Sequence, residues 1–186
     1  MADKHKASDL IEIFNHLFSD SENTILEHSP DEPIYLPADS ENPKNRILFA
    51  HGFFQSAMHE ISHWSIAGKE RRKLVDFGYW YNPDGRTAEQ QAEFEVVEVK
   101  PQALEWIYSM AADKKFYISV DNLSSDINPE ELNASKERFA DKVYQQVLDC
   151  FEQGLSDRQQ AFVDALVRNY RNGAPLSADM FHRNAI

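Results

Sequence analysis

The chain is poor in three things, and each absence narrows what it can be. Among its 186 residues there is one cysteine, Cys150. No internal disulfide can form, and a cysteine-built zinc cluster within one chain is excluded, so any metal site must draw on His, Asp and Glu. No stretch approaches the roughly 18 consecutive apolar residues that a membrane span needs. The beginning, Met1 to Lys6, is polar and lacks the apolar core of a secretory signal, so the chain is expected to be a soluble, cytoplasmic protein. Basic residues are also scarce, 19 Lys and Arg against 31 Asp and Glu, for a net charge of -12. That balance repels a phosphate backbone, and the short run Lys69 to Lys73 does not offset it, which argues against direct nucleic-acid binding. The ordinary reading of the acidic surface is solubility; attraction of a basic partner or a cationic substrate group is the functional one.

No repeat, low-complexity tract or linker divides the sequence, and its length suits one domain, residues 1–186. Leu10, Phe14, Leu17 and Phe18 fall on one stripe and predict an amphipathic helix over 8–19, capped by Ser8 or Asp9. Residues 31–39 alternate between prolines and suit an edge strand or extended loop, and 46–50 form a short apolar strand. That strand leads through His51 and Gly52 into a helix ended by Gly68. An aromatic, β-prone segment from Leu74 predicts a strand running into a turn at 82–85, after which Thr87 can cap a second helix. Pro101 should kink that helix or open a new one. A strand over 116–120 and helices over 129–152 and 156–171 complete the reading. The fold class is α+β, several helices around a small, partly antiparallel sheet.

The chemistry lies in His59-Glu60-Ile61-Ser62-His63. On a helix, His59 and His63 stand one turn apart, so both imidazoles can reach one cation while Glu60 points to a flank. At this composition the pattern arises by chance in only about two sequences in a hundred. The structural alternative is a pair of buried histidines bonded to carbonyls, on a helix that Phe53, Met58, Ile61 and Trp64 mark as buried. A catalytic site usually has three protein ligands and an open position, so a third donor is needed. The second helix offers Glu93, Glu95, Glu98 and Glu105. At about 100° per residue, Phe94, Val97, Leu104 and Tyr108 share an inward stripe. Glu98 borders it, Glu95 projects toward solvent, and Glu105 lies near it but beyond Pro101, so Glu98 ranks first. His51 reads as a turn residue rather than a substrate contact, and His5, His16, His28 and His182 lack ligand spacing. Asp76, Tyr79, Tyr81 and Asp84 could line a pocket or could be strand packing and a turn.

Two histidines and a carboxylate serve zinc in peptidases, where the middle Glu activates water, and equally the facial triad of nonheme Fe(II) oxygenases. Glu60 separates the two: it is a general base in the first and a supporting group without an obligatory proton-transfer role in the second.

Residues along essentially the whole length resemble the elongation factor P hydroxylases of bacteria: DEPIYLPAD at 31–39, FAHGF at 49–53, HEISHW at 59–64, LVDFGYWY at 74–81 and EVKPQALEW at 98–106. The resemblance implies hydroxylation of an elongation factor P lysine that already carries a β-lysyl group. It implies a nonheme Fe(II) site of His59, His63 and Glu98, with molecular oxygen as co-substrate and no signature that identifies 2-oxoglutarate. It also implies elongation factor P as the partner; the fold expected around the HExxH segment has a zincin-like active helix in its core. A zinc-dependent HExxH metallopeptidase is the alternative, and a metal-stabilised module that docks on a translation factor without catalysis is the third reading.

Overall fold

In the computed structural model, residues 4–78, 88–119 and 129–186 are described. The element that organises them is the apolar run ending at Ala50. It forms strand β3 (Asn45–Ala50), in the middle of a three-stranded sheet between β1 (Thr24–Ser29) and β2 (Ile34–Leu36). β1 runs parallel to β3, with Leu26 opposite Ile47, and β2 runs antiparallel to it, with Tyr35 opposite Ile47. Ile47 and Phe49 are buried, and the inward residues of β1, Thr24 and Leu26, are inaccessible to solvent. β1 carries no clear strand pattern in the sequence, because its outward positions, Glu27 and His28, interrupt the apolar signal.

Each outer strand has one residue on its free backbone edge held by a side chain. Asn15 donates to the Leu26 carbonyl at 3.2 Å and accepts the Leu26 N–H at 2.7 Å, closing the β1 edge. On β2, the Tyr35 N–H donates to Asp76 Oδ1 at 2.8 Å. An exposed edge invites pairing with another chain, so these contacts protect as well as hold.

Helix α1 (Ala7–Phe18) packs on β1 through Leu10, Phe14 and Phe18, with Leu17 only half-buried. Its N-cap is Lys6 rather than Ser8 or Asp9, which lie inside the first turn; Ser8 bonds Asp9 instead. Helix α2 (Phe54–Ile66) stops just before Gly68 and buries Ala57, Met58, Ile61 and Trp64 against β3, α1 and the next helix. Phe53, expected to be buried, is exposed. Trp64 sits between the rings of Phe14 and Phe18, each 4.9 Å away, with the Arg158 guanidinium 4.6 Å from its centroid. Burial of each such large side chain contributes about 1.5–3 kcal/mol, which fixes the orientation of α2.

Helix α3 (Ala88–Ala111) continues through Pro101, so no new helix opens there. It packs on α2, and on α4 (Pro129–Gln153) and α5 (Asp157–Tyr170). The expected cap Thr87 and the turn at 82–85 lie outside the described residues.

Two expected strands are not seen among the described residues. Val75–Gly78 is a tight turn in which Asp76 (φ 46°) and Phe77 (φ 58°) are left-handed. Burial of Phe77, its ring stacked 4.2 Å from Tyr35, overrides the β propensity of the segment. Residues 116–119 are irregular. The strand-like hydrogen bonds at Ser119 are made with the Gln102 side chain, its N–H donating to Oε1 at 3.0 Å and its carbonyl accepting from Nε2 at 2.7 Å.

Candidate metal centre

The geometry of α2 alone brings the two imidazoles together. His59 and His63, four residues apart, have ring centroids 4.7 Å apart and face each other through Nε2 atoms separated by 3.0 Å. α3 crosses beside them and supplies Glu98, whose Oε1 lies 3.2 Å from His63 Nε2 and whose Oε2 lies 3.8 Å from His59 Nε2. One ligand atom from each of these three residues lies within 4.8 Å of the others.

Glu98 is 1% exposed, and among the described residues neither of its oxygens has a partner in hydrogen-bonding geometry. A buried, orphaned carboxylate facing two imidazole nitrogens is costly as it stands. A divalent cation would remove that cost: nitrogen and oxygen bonds of about 2.0–2.2 Å hold neighbouring donors about 3 Å apart, close to the separations seen here. The three residues therefore fit a metal, and three donors leave coordination positions open.

Glu105, two turns further along α3, places Oε2 2.9 Å from His59 Nδ1. With Nδ1–H donating to this carboxylate, Nε2 is left bare toward the metal position, the usual way in which a carboxylate orients a ligating histidine. Burial is the largest single influence and pushes the His59 proton affinity down, but the Glu105 hydrogen bond together with the charges of Glu105, Glu98 and Glu60 outweighs it and lifts the pKa to about 10. Burial likewise pushes Glu98 up, and the opposing His63 and His59 hold its carboxyl below the ordinary range. Glu60 does not join the triad. It lines the adjacent cavity, where burial raises its pKa against the pull of both histidines.

That cavity, about 1170 Å³, opens beside the triad and is lined by Glu60, His63, Glu98, Asp76 and the apolar Ile66, Phe77, Val96 and Val97.

The inward face of α3 corrects the projection made from sequence. Its buried stripe before Pro101 consists of Gln91, Phe94, Glu95 and Glu98, while Val97 faces out at 36% exposure. Glu95 is not solvent-facing: it is 6% exposed and accepts hydrogen bonds from Ser135 Oγ at 2.8 Å and Gln91 Nε2 at 3.4 Å. Glu93 is exposed. The sequence reading missed the orienting role of Glu105, although the polar series Gln91, Glu95, Glu98, Gln102, Glu105 alternates steps of four and three, a helical face in its own right.

His51 is a turn residue, left-handed at φ 53°, with its N–H donating to the Ser29 carbonyl. His5 meets the Ala112 carbonyl at 2.8 Å, far from the triad in the chain. Asp76 reaches the cavity wall, whereas Tyr79, Tyr81 and Asp84 lie outside the described residues.

Comparison with known proteins places the whole chain. The family model described as elongation factor P hydroxylase matches residues 13–181. The elongation factor P lysine hydroxylase of Haemophilus influenzae (strain ATCC 51907 / DSM 11121 / KW20 / Rd) is 53% identical over 167 residues, 90% of each chain. The chain belongs to the elongation factor P hydroxylase family.

Proposed function

We propose that this chain hydroxylates a lysine side chain of elongation factor P, in the form already extended by a β-lysyl group, using a nonheme Fe(II) site of His59, His63 and Glu98 and dioxygen as co-substrate. The observation that carries the reading is the buried, unpartnered Glu98 facing two imidazole nitrogens, in a chain 53% identical to an elongation factor P lysine hydroxylase.

Ferrous iron held there supplies the oxygen-activating redox chemistry that an unreactive C–H bond requires and that zinc cannot provide. The balance is one oxygen atom into the C–H bond and one into water, with two electrons and two protons from an external reductant. The chain's own residues set the geometry. α2 fixes the imidazoles, Glu105 holds the His59 tautomer, and Glu98 supplies the one anionic ligand. Ile66, Phe77, Val96 and Val97 offer an apolar passage for an aliphatic side chain. In presenting two ligands from a single turn of helix, α2 is zincin-like. Residues 1–186 act as one catalytic domain in this reading.

The site of action is the cytoplasm, where translation factors work. Among the described residues no helix is long and apolar enough to cross a membrane. The net charge of -12 favours a basic target side chain over nucleic acid. Intact-mass measurement tests the function. β-Lysylated elongation factor P incubated with enzyme, Fe(II), reductant and oxygen should gain one oxygen atom; cleavage of the protein would support the peptidase alternative instead.

A further inference from the structure

The turn of α2 that carries His63 is also the last turn of that helix, where the final carbonyls lack partners within the helix. The first turn of α5 is docked onto them. Arg158 Nη2 donates to the Ala67 carbonyl at 3.0 Å and to the Ser65 carbonyl at 3.3 Å, and Gln159 Nε2 donates to the Ser65 carbonyl at 3.4 Å. The same Gln159 side chain accepts the Ser156 N–H at 2.9 Å, so the amide that caps α5 also reaches the end of α2. From the other side, the buried Tyr108 of α3 donates to Ser65 Oγ at 2.9 Å. Ala67 passes the hold on to the ligand, its N–H donating to the His63 carbonyl at 3.1 Å. The clamped segment thus has His63 just before it, and it runs into Ile66, Ala67, Gly68 and Lys69, which line the cavity.

Arg158 is a poor device for stability alone. Its guanidinium lies 4.6 Å from the Trp64 ring centroid, and its Nη1 is buried with no hydrogen-bond partner among the described residues. Taking a cation out of water and leaving one of its donors unmet costs free energy that an apolar side chain packed on the same indole would not. What the guanidinium adds is geometry. It is a rigid, planar fork, here reaching two carbonyls that flank Ile66, and it sets a positive charge at the negative end of α2. We infer that Arg158 is a positioning residue for the metal centre: by clamping Ser65 and Ala67 it fixes the last turn of α2, and with it the placement of His63 against Glu98. The inference rests on the reading of His59, His63 and Glu98 as metal ligands. It extends the site to α5, a helix that supplies no ligand, with Gln159 and Tyr108 completing the clamp.

The test loads wild type, Arg158→Met, Arg158→Lys and Val147→Ala with Co(II), each protein first shown to be folded by circular dichroism. Two quantities are read: affinity by chelator competition, and the visible absorption spectrum, which reports the arrangement of donors around the ion. Arg158→Met keeps an aliphatic cover on Trp64 but donates nothing, and Arg158→Lys keeps the charge and a donor without the fork. Val147 is fully buried on α4, outside the clamp, so Val147→Ala controls for a general loss of stability. Arg158→Met should bind Co(II) at least about tenfold more weakly than wild type, with an altered spectrum, and Arg158→Lys about threefold more weakly, a partial rescue. Val147→Ala should keep the wild-type affinity and spectrum. If Arg158→Met does not fold, Arg158→Lys decides alone. Wild-type affinity and spectrum in either Arg158 variant, or a Val147→Ala protein weakened as much as Arg158→Met, would overturn the assignment. A wild type that binds no Co(II) removes the metal reading and this inference together, whereas a wild type that binds it no better than the Arg158 variants removes this inference alone.

Discussion

The two walls of the active cavity are built on opposite principles. One is the α2–α3 pair, regular helix throughout, in which ordinary spacing delivers His59, His63, Glu98 and Glu105. The other is the turn Val75–Gly78, in which three consecutive residues, Asp76, Phe77 and Gly78, have positive φ and only the last is a glycine. A left-handed conformation costs a residue other than glycine roughly 1–2 kcal/mol. The turn persists because Phe77 is buried against Tyr35 and because the Asp76 carboxylate closes the sheet edge. Regular structure suffices to bring the proposed ligands together. A strained backbone, held by packing, is what brings an anion to the facing wall.

The largest effect that separates the walls is expected from Phe77→Ala. It removes a buried aromatic side chain whose packing opposes the strain, and should lower unfolding stability by about 3–5 kcal/mol in denaturant titration. The folded fraction should still bind metal, since no ligand lies on the turn. Equal loss of metal from folded protein would show that the walls are not independent.

Next in size is Glu105→Gln on the regular wall. The amide cannot support His59 as a carboxylate does, and metal affinity measured by chelator competition should fall by about 10- to 100-fold. Unfolding stability of the metal-free protein should change much less. An unaltered affinity would reduce the 2.9 Å contact to packing.

The finest comparison uses two glycines. A Cβ on Gly78, at φ 72°, would meet Leu74 Cδ1 at 2.8 Å, while a Cβ on Gly68 would meet nothing within 4 Å. Gly78→Ala should therefore cost at least about 1–2 kcal/mol, and Gly68→Ala should lie within about 0.5 kcal/mol of wild type in the same titration. Equal costs would mean that the turn carries no strain.

The difference between the walls also decides what could be read from sequence. Helical periodicity exposed α1, α2, α4 and α5, and the proline-bounded and apolar runs exposed β2 and β3, because in each case the local pattern and the tertiary environment agree. The same regularity made His59 and His63 legible as neighbours. It failed on α3, where the inward face is polar: Glu95, Glu98 and Glu105 turn toward the interior while Val96 and Val97 face outward. A hydrophobic projection mistakes such a face for the solvent side, which misplaced Glu95 and concealed Glu105. The turn at 75–78 was illegible for another reason. Its β-branched and aromatic residues favour a strand, and only the long-range burial of Phe77 beside Tyr35 selects the left-handed path.

The central claim is that Glu98, and not Glu95, completes the metal site with His59 and His63. It is tested by iron content after anaerobic reconstitution and desalting of wild type, Glu98→Ala and Glu95→Ala, each first shown to be folded by circular dichroism. Glu95 meets Ser135 and Gln91 rather than the imidazoles, so its replacement should leave stoichiometric iron. Glu98→Ala, deprived of the anionic donor, should retain almost none. A folded Glu98→Ala protein that holds iron as wild type does, or a Glu95→Ala protein that alone loses it, would contradict the account.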